Sequence, residues 1–241
     1  MAARVPTPKY SKPSGYKQAT HLPKPFKLRR YYTPAEVSVH NTASDCWVSF
    51  FDEVYDLSKL IQDNVCAESQ PLIRAAGTDI THWFEPSTKE PKRWVDSKTN
   101  MNWYYCPYGR YLHIPPIEPD SSWDPSSFTV PWWRNQAELR IGRLTTKTRK
   151  LRIINMLTKD DDIIEVCSEE TMNEILDRYI PSNEHSASYT WKRLGRPLDM
   201  DLTLAANDIP DETIEFVDLN IDEDAYIPCV HLYYNDDLTV A

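Results

Sequence analysis

Glycine is scarce in this chain, five residues in 241 against 19 prolines. Glycine-rich loops that cradle phosphates need that freedom, and neither a phosphate loop nor a dinucleotide fingerprint is present. A Gly-x-Ser-x-Gly elbow and a His-Glu-x-x-His pair are missing too, which removes the common hydrolase and zinc-protease chemistries. Long apolar runs are absent: no window approaches a membrane span, and the first thirty residues lack a signal-peptide core. Five cysteines, odd in number and without a Cys-x-x-Cys spacing, read as reduced thiols of a soluble intracellular protein. Asp160-Asp161-Asp162 lacks the spacing of a calcium loop, and Cys106 with His113 supplies only two of the four ligands of a zinc site. No catalytic constellation emerges, so an enzyme is not expected.

Charge is missing by sign as well. Residues 1–30 hold eight Lys/Arg and no acid, whereas nothing after Arg196 is basic and that tail holds twelve Asp/Glu. A basic arm and an acidic face suit docking on partners of opposite sign. The many prolines place extended segments between compact pieces.

What is present divides into four stretches. Residues 1–30 read as a Pro- and Lys-rich arm that is disordered or ordered by a partner. Residues 31–95 form a first domain. Thr33-Pro34-Ala35-Glu36 is a capping box, Cys46–Phe51 and Glu53–Asp56 predict a hairpin around Asp52, and Leu72–Ala76 predicts a helix that Gly77 ends. Residues 96–137 form an aromatic, Pro-rich connector with a hairpin expected from Trp103–Cys106 to Tyr111–Ile114. Its aromatics are expected to pack between the two halves of the chain. Residues 138–241 form a second domain. There Leu151–Leu157 and Ile163–Val166 predict a hairpin, and Thr171-Met172-Asn173-Glu174 caps a helix whose stripe is Met172, Ile175, Leu176 and Tyr179. Strands follow at Ser188–Arg193 and Val230–Tyr234.

The phrases Tyr32-Thr33-Pro34-Ala35-Glu36-Val37, His40-Asn41, Asp45-Cys46-Trp47-Val48, Val54-Tyr55-Asp56-Leu57-Ser58-Lys59 and Ala76-Gly77-Thr78-Asp79-Ile80-Thr81 resemble the cytochrome b5 haem-binding domain. That resemblance implies a crevice between two walls, each supplying one imidazole to the haem iron. Both axial places depart from it. Asn64-Val65-Cys66-Ala67 stands where the family has His-Pro-Gly-Gly, and Glu85–Lys89 carries no histidine. No cofactor is therefore expected. Haem is the alternative, with Asn64, Cys66 and His82 as the residues able to approach an iron, and Trp83, Phe84 and Trp94 are large enough to fill the crevice without one. The phrase Leu194-Gly195-Arg196-Pro197-Leu198 with Leu202-Thr203-Leu204 resembles ubiquitin relatives, and the chain closes on Thr239-Val240-Ala241 rather than Gly-Gly, which implies a docking module. The fold class is then α+β, a cytochrome b5-like domain followed by a ubiquitin-like β-grasp. The tandem resembles a family of axonemal proteins that carry these two domains. It implies a structural or regulatory component of the motile-cilium axoneme, associated with radial spokes and supporting ciliary beating, located in cytoplasm, cytoskeleton and axoneme. Expected partners are axonemal proteins including radial-spoke components, with the tubulin surface met by the basic arm, and neither nucleic acid nor membrane. A haem-based redox sensor in the same place is the alternative, ahead of a soluble electron carrier.

Overall fold

The computed structural model describes residues 29–98, 100–118, 120–121, 123–124, 128–222 and 226–234; most of the basic arm lies outside them. The first domain opens with β1 (Tyr31–Tyr32) and α1 (Pro34–Val39). Thr33 accepts from the Glu36 amide and Glu36 reaches back to the Thr33 amide, the expected capping box. A short β2 (Asn41–Thr42) leads into the hairpin of β3 (Asp45–Phe50) and β4 (Glu53–Asp56). Its turn puts Phe51 and Asp52 at φ 51° and 60°, the left-handed pair that matches strand twist. After α2 (Ser58–Asp63) and α3 (Gln70–Arg74), Gly77 sits at φ 76° with the Ser38 backbone 3.0 Å from where a Cβ would stand.

The connector behaves differently from expectation. Tyr111–Ile114 forms a turn in place of a strand, and β6 (Asn102–Tyr104) pairs instead with β5 (Arg93–Val95). Its aromatics do not fill the space between the two halves: Tyr111, Trp132 and Trp133 are buried in the core of the first domain. After α4 (Gln136–Leu139) comes β7 (Arg140–Leu144), which pairs antiparallel with β4 and parallel with β1. The first sheet thus runs β1-β7-β4-β3-β2, and the first domain extends to Leu144, past the expected break near Glu138. Residues 85–135 are an insert within it.

The second domain is one five-stranded sheet and one long helix. The hairpin of β8 (Thr148–Asn155) and β9 (Asp161–Cys167) precedes α5 (Met172–Tyr179), then β10 (Tyr189–Arg193), β11 (Arg196–Pro197), the short helix α6 (Thr213–Asp218) and β12 (Cys229–Tyr234). Strand order is β11-β10-β12-β8-β9, with β8 and β12 the one parallel pair among these strands. Every second residue of β8 faces inward, and Leu151 and Ile153 meet Met172, Ile175 and Tyr179 of α5.

Arg178 of α5 joins the two domains. Its guanidinium pairs with Glu170 (2.6 Å), reaches Glu36 of α1, and donates to the Tyr31 carbonyl at 3.2 Å. Its side chain is 6% exposed and that of Glu170 2%. Burial opposes the charge, but hydrogen bonds to the two carboxylates hold the guanidinium protonated well above its ordinary range. Beside it, Thr145 donates to Glu169 (2.6 Å) and its amide to the Tyr32 carbonyl (2.9 Å), so the link from β7 to β8 is tied to both domains. Removing Arg178 strands Glu170 in a dry interface. Arg178→Ala is expected to lose on the order of 3–5 kcal/mol, read as a lower urea midpoint. The Lys variant should not recover it fully, because a compact ammonium lacks the planar spread by which Nε, Nη1 and Nη2 of Arg178 reach two carboxylates and a carbonyl.

Candidate functional site

The crevice is built by β3 and β4 at its base, by α2, α3 and the loop between them on one side, and by Ile80–Phe84 on the other. Ile61, Leu72, Ile80, Trp83 and Phe84 all face inward and are buried. The space between the walls is occupied by rings. Phe50 stacks on Tyr55 (4.2 Å) and Phe84 (5.1 Å); Trp132 meets Phe50 and Phe84 edge-on, at 5.9 Å each; Tyr111 lies 5.2 Å from Trp83 and 6.2 Å from Trp132. Offset and edge-to-face pairs of this kind add to the area they bury. Trp83 and Phe84 fill the crevice as expected. Trp94 does not: it is 51% exposed on the β5–β6 ribbon, stacked on Trp103, because that two-stranded ribbon has no second layer to bury it. Tyr111, Trp132 and Trp133 from the insert take that role.

The insert is fastened to the α2–α3 wall and to itself. Arg110 pairs with Glu68 beside the α2–α3 loop. Glu90 accepts from the Trp133 indole (3.2 Å) and from Arg134 (2.6 Å). His113, at φ 68°, accepts the Trp132 amide on Nδ1 at 2.9 Å.

The three residues expected to approach an iron are not brought together. Asn64 ends α2 and spends its side-chain amide on the Leu60 carbonyl, 2.9 Å away. Cys66 is exposed, and partial desolvation of its sulfur, together with its hydrogen bond to the Glu68 carboxylate, pushes its thiol up. A raised thiol is less thiolate and a poorer ligand. His82 is exposed, with its ring edge-on to Trp83 at 6.2 Å and to Tyr105 at 6.5 Å. Among the described residues no hydrogen bond or ring contact links His82 to Asn64 or Cys66. Within the crevice three buried polar atoms lack a partner among the described residues: Trp83 Nε1, Tyr111 Oη and Trp132 Nε1.

Comparison with known proteins follows the same lines. The family model described as "Cytochrome b5-like Heme/Steroid binding domain" matches residues 33–144, from just after β1 to the end of β7 and so including the insert. Cytochrome b5 domain-containing protein 1 of Xenopus laevis is 51% identical over 211 residues, covering 87% of this chain and 96% of that protein. The chain belongs to the cytochrome b5 domain-containing protein 1 family. The Homo sapiens member is 46% identical over 214 residues, covering 88% of this chain and 92% of that protein. The cytochrome b5 of Nicotiana tabacum is 41% identical over 56 residues, 23% of this chain and 40% of that protein. No described helix is long and apolar enough to cross a membrane.

Haem is the group implied by a cytochrome b5-like domain, and the residues present do not fit it. The interior that would receive a porphyrin is packed with Phe84, Tyr111 and Trp132, each no more than 1% exposed, and neither wall turns an imidazole inward. Sequence reasoning named Trp83 and Phe84 as rings able to fill the crevice but missed Tyr111 and Trp132. The cue lay in the Trp132-Trp133 pair, whose two large rings need a core.

Burial holds the His113 imidazole below its ordinary range. Its neutral form accepts the Trp132 amide, and protonation consumes that lone pair. The unfolded chain takes up this proton near pH 6.5 and the folded chain only at lower pH. His113 therefore contributes stability above pH 6.5 that is lost as pH falls through its folded value. Melting temperature against pH should show this step, and His113→Asn should flatten it while retaining an acceptor and tolerance of positive φ.

Proposed function

We propose that this chain is a structural and regulatory component of the motile-cilium axoneme, associated with radial spokes and supporting ciliary beating, and that its cytochrome b5-like domain works as a haem-free scaffold. The observation that carries the scaffold reading is the filled crevice: rings from the insert stand where a porphyrin needs room, and Asn64, Cys66 and His82 do not converge. Such a body offers shape in place of a redox centre, and fold without the ancestral chemistry is an ordinary outcome. The axonemal setting rests on the resemblance of the two-domain chain to ciliary proteins. The second domain is read as a ubiquitin-like β-grasp docking module, supported by a hairpin, a crossing helix and the parallel pairing of its first and last strands. The basic arm would meet acidic tubulin.

One observation favours a second reading, a haem-binding redox sensor. The unpartnered Trp83 Nε1, Tyr111 Oη and Trp132 Nε1 each carry a desolvation cost of about 1–3 kcal/mol that a bound group could relieve. Purified chain mixed with haem under reducing and oxidising conditions separates the two. The scaffold reading expects no Soret band in either state. A band seen only when oxidised, and lost in Cys66→Ser, supports the sensor. For the setting, tagged chain expressed in multiciliated cells should stay with detergent-extracted axonemes and be depleted from axonemes that lack radial spokes. Release into the detergent-soluble fraction contradicts it.

A further inference from the structure

The second domain carries a charge where its core pattern calls for an apolar residue. Along β8 the inward-facing positions are Arg149, Leu151, Ile153 and Asn155, all buried. Leu151 and Ile153 pack beneath α5, whereas Arg149, 7% exposed, stands at the end of that row. Its guanidinium donates to the Ile209 carbonyl at 3.0 Å and to the Pro210 carbonyl at 2.6 Å. Among the described residues no carboxylate forms an ion pair with it. Burial pulls its pKa down; Asp211 and Glu212 support the charge from a distance, and Arg193 opposes it. Two neutral carbonyls offset only part of the cost of desolvating a full charge.

Arg149 lines a cavity of about 150 Å³. The cavity lies where the sheet is incomplete, because β12 runs parallel to β8 but begins only opposite Arg152 and leaves Arg149 without a β12 neighbour. Arg193, at the end of β10 on the far side of β12, lines the same cavity and donates to the Asp208 carbonyl. Residues 210–213 and the ring pair of Phe216 and Tyr226, centroids 6.4 Å apart, also line it. Among the described residues, Lys147, Arg149, Lys150 and Arg193 face Asp211 and Glu212 there. Asp211 is taken by Lys147 at 2.5 Å, and Lys150 is engaged as well. That leaves two guanidiniums whose hydrogen bonds go to carbonyls, with Glu212 as the remaining carboxylate.

We propose that this cavity is a binding site for a phosphate group, free or carried as a monoester, held by Arg149 and Arg193. A guanidinium has five N–H donors, and the two carbonyls take only two of those on Arg149. Guanidinium forks bind oxyanions through parallel charge-assisted hydrogen bonds. One carboxylate offers two oxygens to two forks. A phosphate monoester offers three, with a charge of about −1.5 to −2 near neutral pH, which matches a pair of arginines. Pockets that enclose whole organic ligands run to roughly 300–1,000 Å³, so this cavity has room for the phosphate but not for an enclosed nucleotide. The site belongs to the second domain and rests on neither reading of the crevice.

The test is arginine side-chain NMR. Isotope-labelled full chain is titrated with inorganic phosphate, and separately with O-phosphoserine, at an ionic strength held constant with sodium chloride. The expected result is a saturable shift of the Arg149 and Arg193 Nε–H signals. Saturation by inorganic phosphate alone identifies the free ion as the ligand; tighter binding of phosphoserine identifies a phosphorylated side chain. Arg149 also ties down residues 209–210, so the deciding variant is Arg193→Gln, which should weaken binding about tenfold while the backbone spectrum stays native. Glu212→Gln removes the opposing carboxylate and should tighten binding about threefold. Arg196→Gln, exposed on β11, should leave it as it is. Shifts that never saturate, that chloride reproduces, that survive Arg193→Gln unchanged or that fall equally in Arg196→Gln overturn the proposal. So do weaker binding in Glu212→Gln and the absence of any shift.

Discussion

The first domain depends on one set of contacts, the rings of Phe50, Phe84, Trp83, Tyr111 and Trp132 closing on each other between the two crevice walls. Phe50 belongs to the hairpin, Phe84 and Trp83 to the far wall, and Tyr111 and Trp132 to the insert, so the cluster ties three distant stretches into one core. A crevice this size left empty would forfeit the dispersion contacts of every residue lining it. Filling it from the same chain removes that penalty without a cofactor. It also fixes where the insert must run, because Arg110 ties it to Glu68, Glu90 and Arg134 join its two ends, and Tyr111 and Trp132 hold it in the core.

The domains are then joined by polarity rather than by a shared apolar core. The three clusters of buried side chains stay separate, one crevice-centred, one under α1, one beneath α5. Between them Glu36 serves twice, as the capping residue of α1 and as a counter-ion of Arg178. A buried fork of this kind is costly to desolvate but specific in angle. It orients the second domain against the first while leaving α6 and the turn after it facing outward.

Local signals were legible in the residues. Both capping boxes, Thr33–Glu36 and Thr171–Glu174, and the left-handed Gly77 act within a few residues of themselves, so composition and spacing suffice to read them. The stripe Met172, Ile175, Tyr179 follows helical period for the same reason. Non-local choices were not legible. Arg140–Leu144 carries a polar, unremarkable pattern, and only the edge of β4, far back in the chain, makes it a strand of the first sheet. Trp94 and Trp132 are equally apolar as residue types. One ends on a bare ribbon and the other in a core because of which surfaces the insert crosses, a property of topology rather than of side chain. At the site, the loss of histidine near Asn64 and after Phe84 could be counted along the chain. The rings that pack the crevice could not, since Tyr111 and Trp132 reach it only through the path of the insert.

The account turns on the insert being part of the core before any ligand arrives. Amide hydrogen exchange on the purified chain measures this directly, through peptides covering Tyr111–Ile114 and Pro131–Arg134, with and without added haem. The filled-crevice account predicts that those amides which are hydrogen-bonded, such as Ile114 and Arg134, are protected as strongly as the β3–β4 hairpin and do not change when haem is added. Rapid exchange in the absence of haem, slowed to hairpin-like protection on its addition, would contradict it.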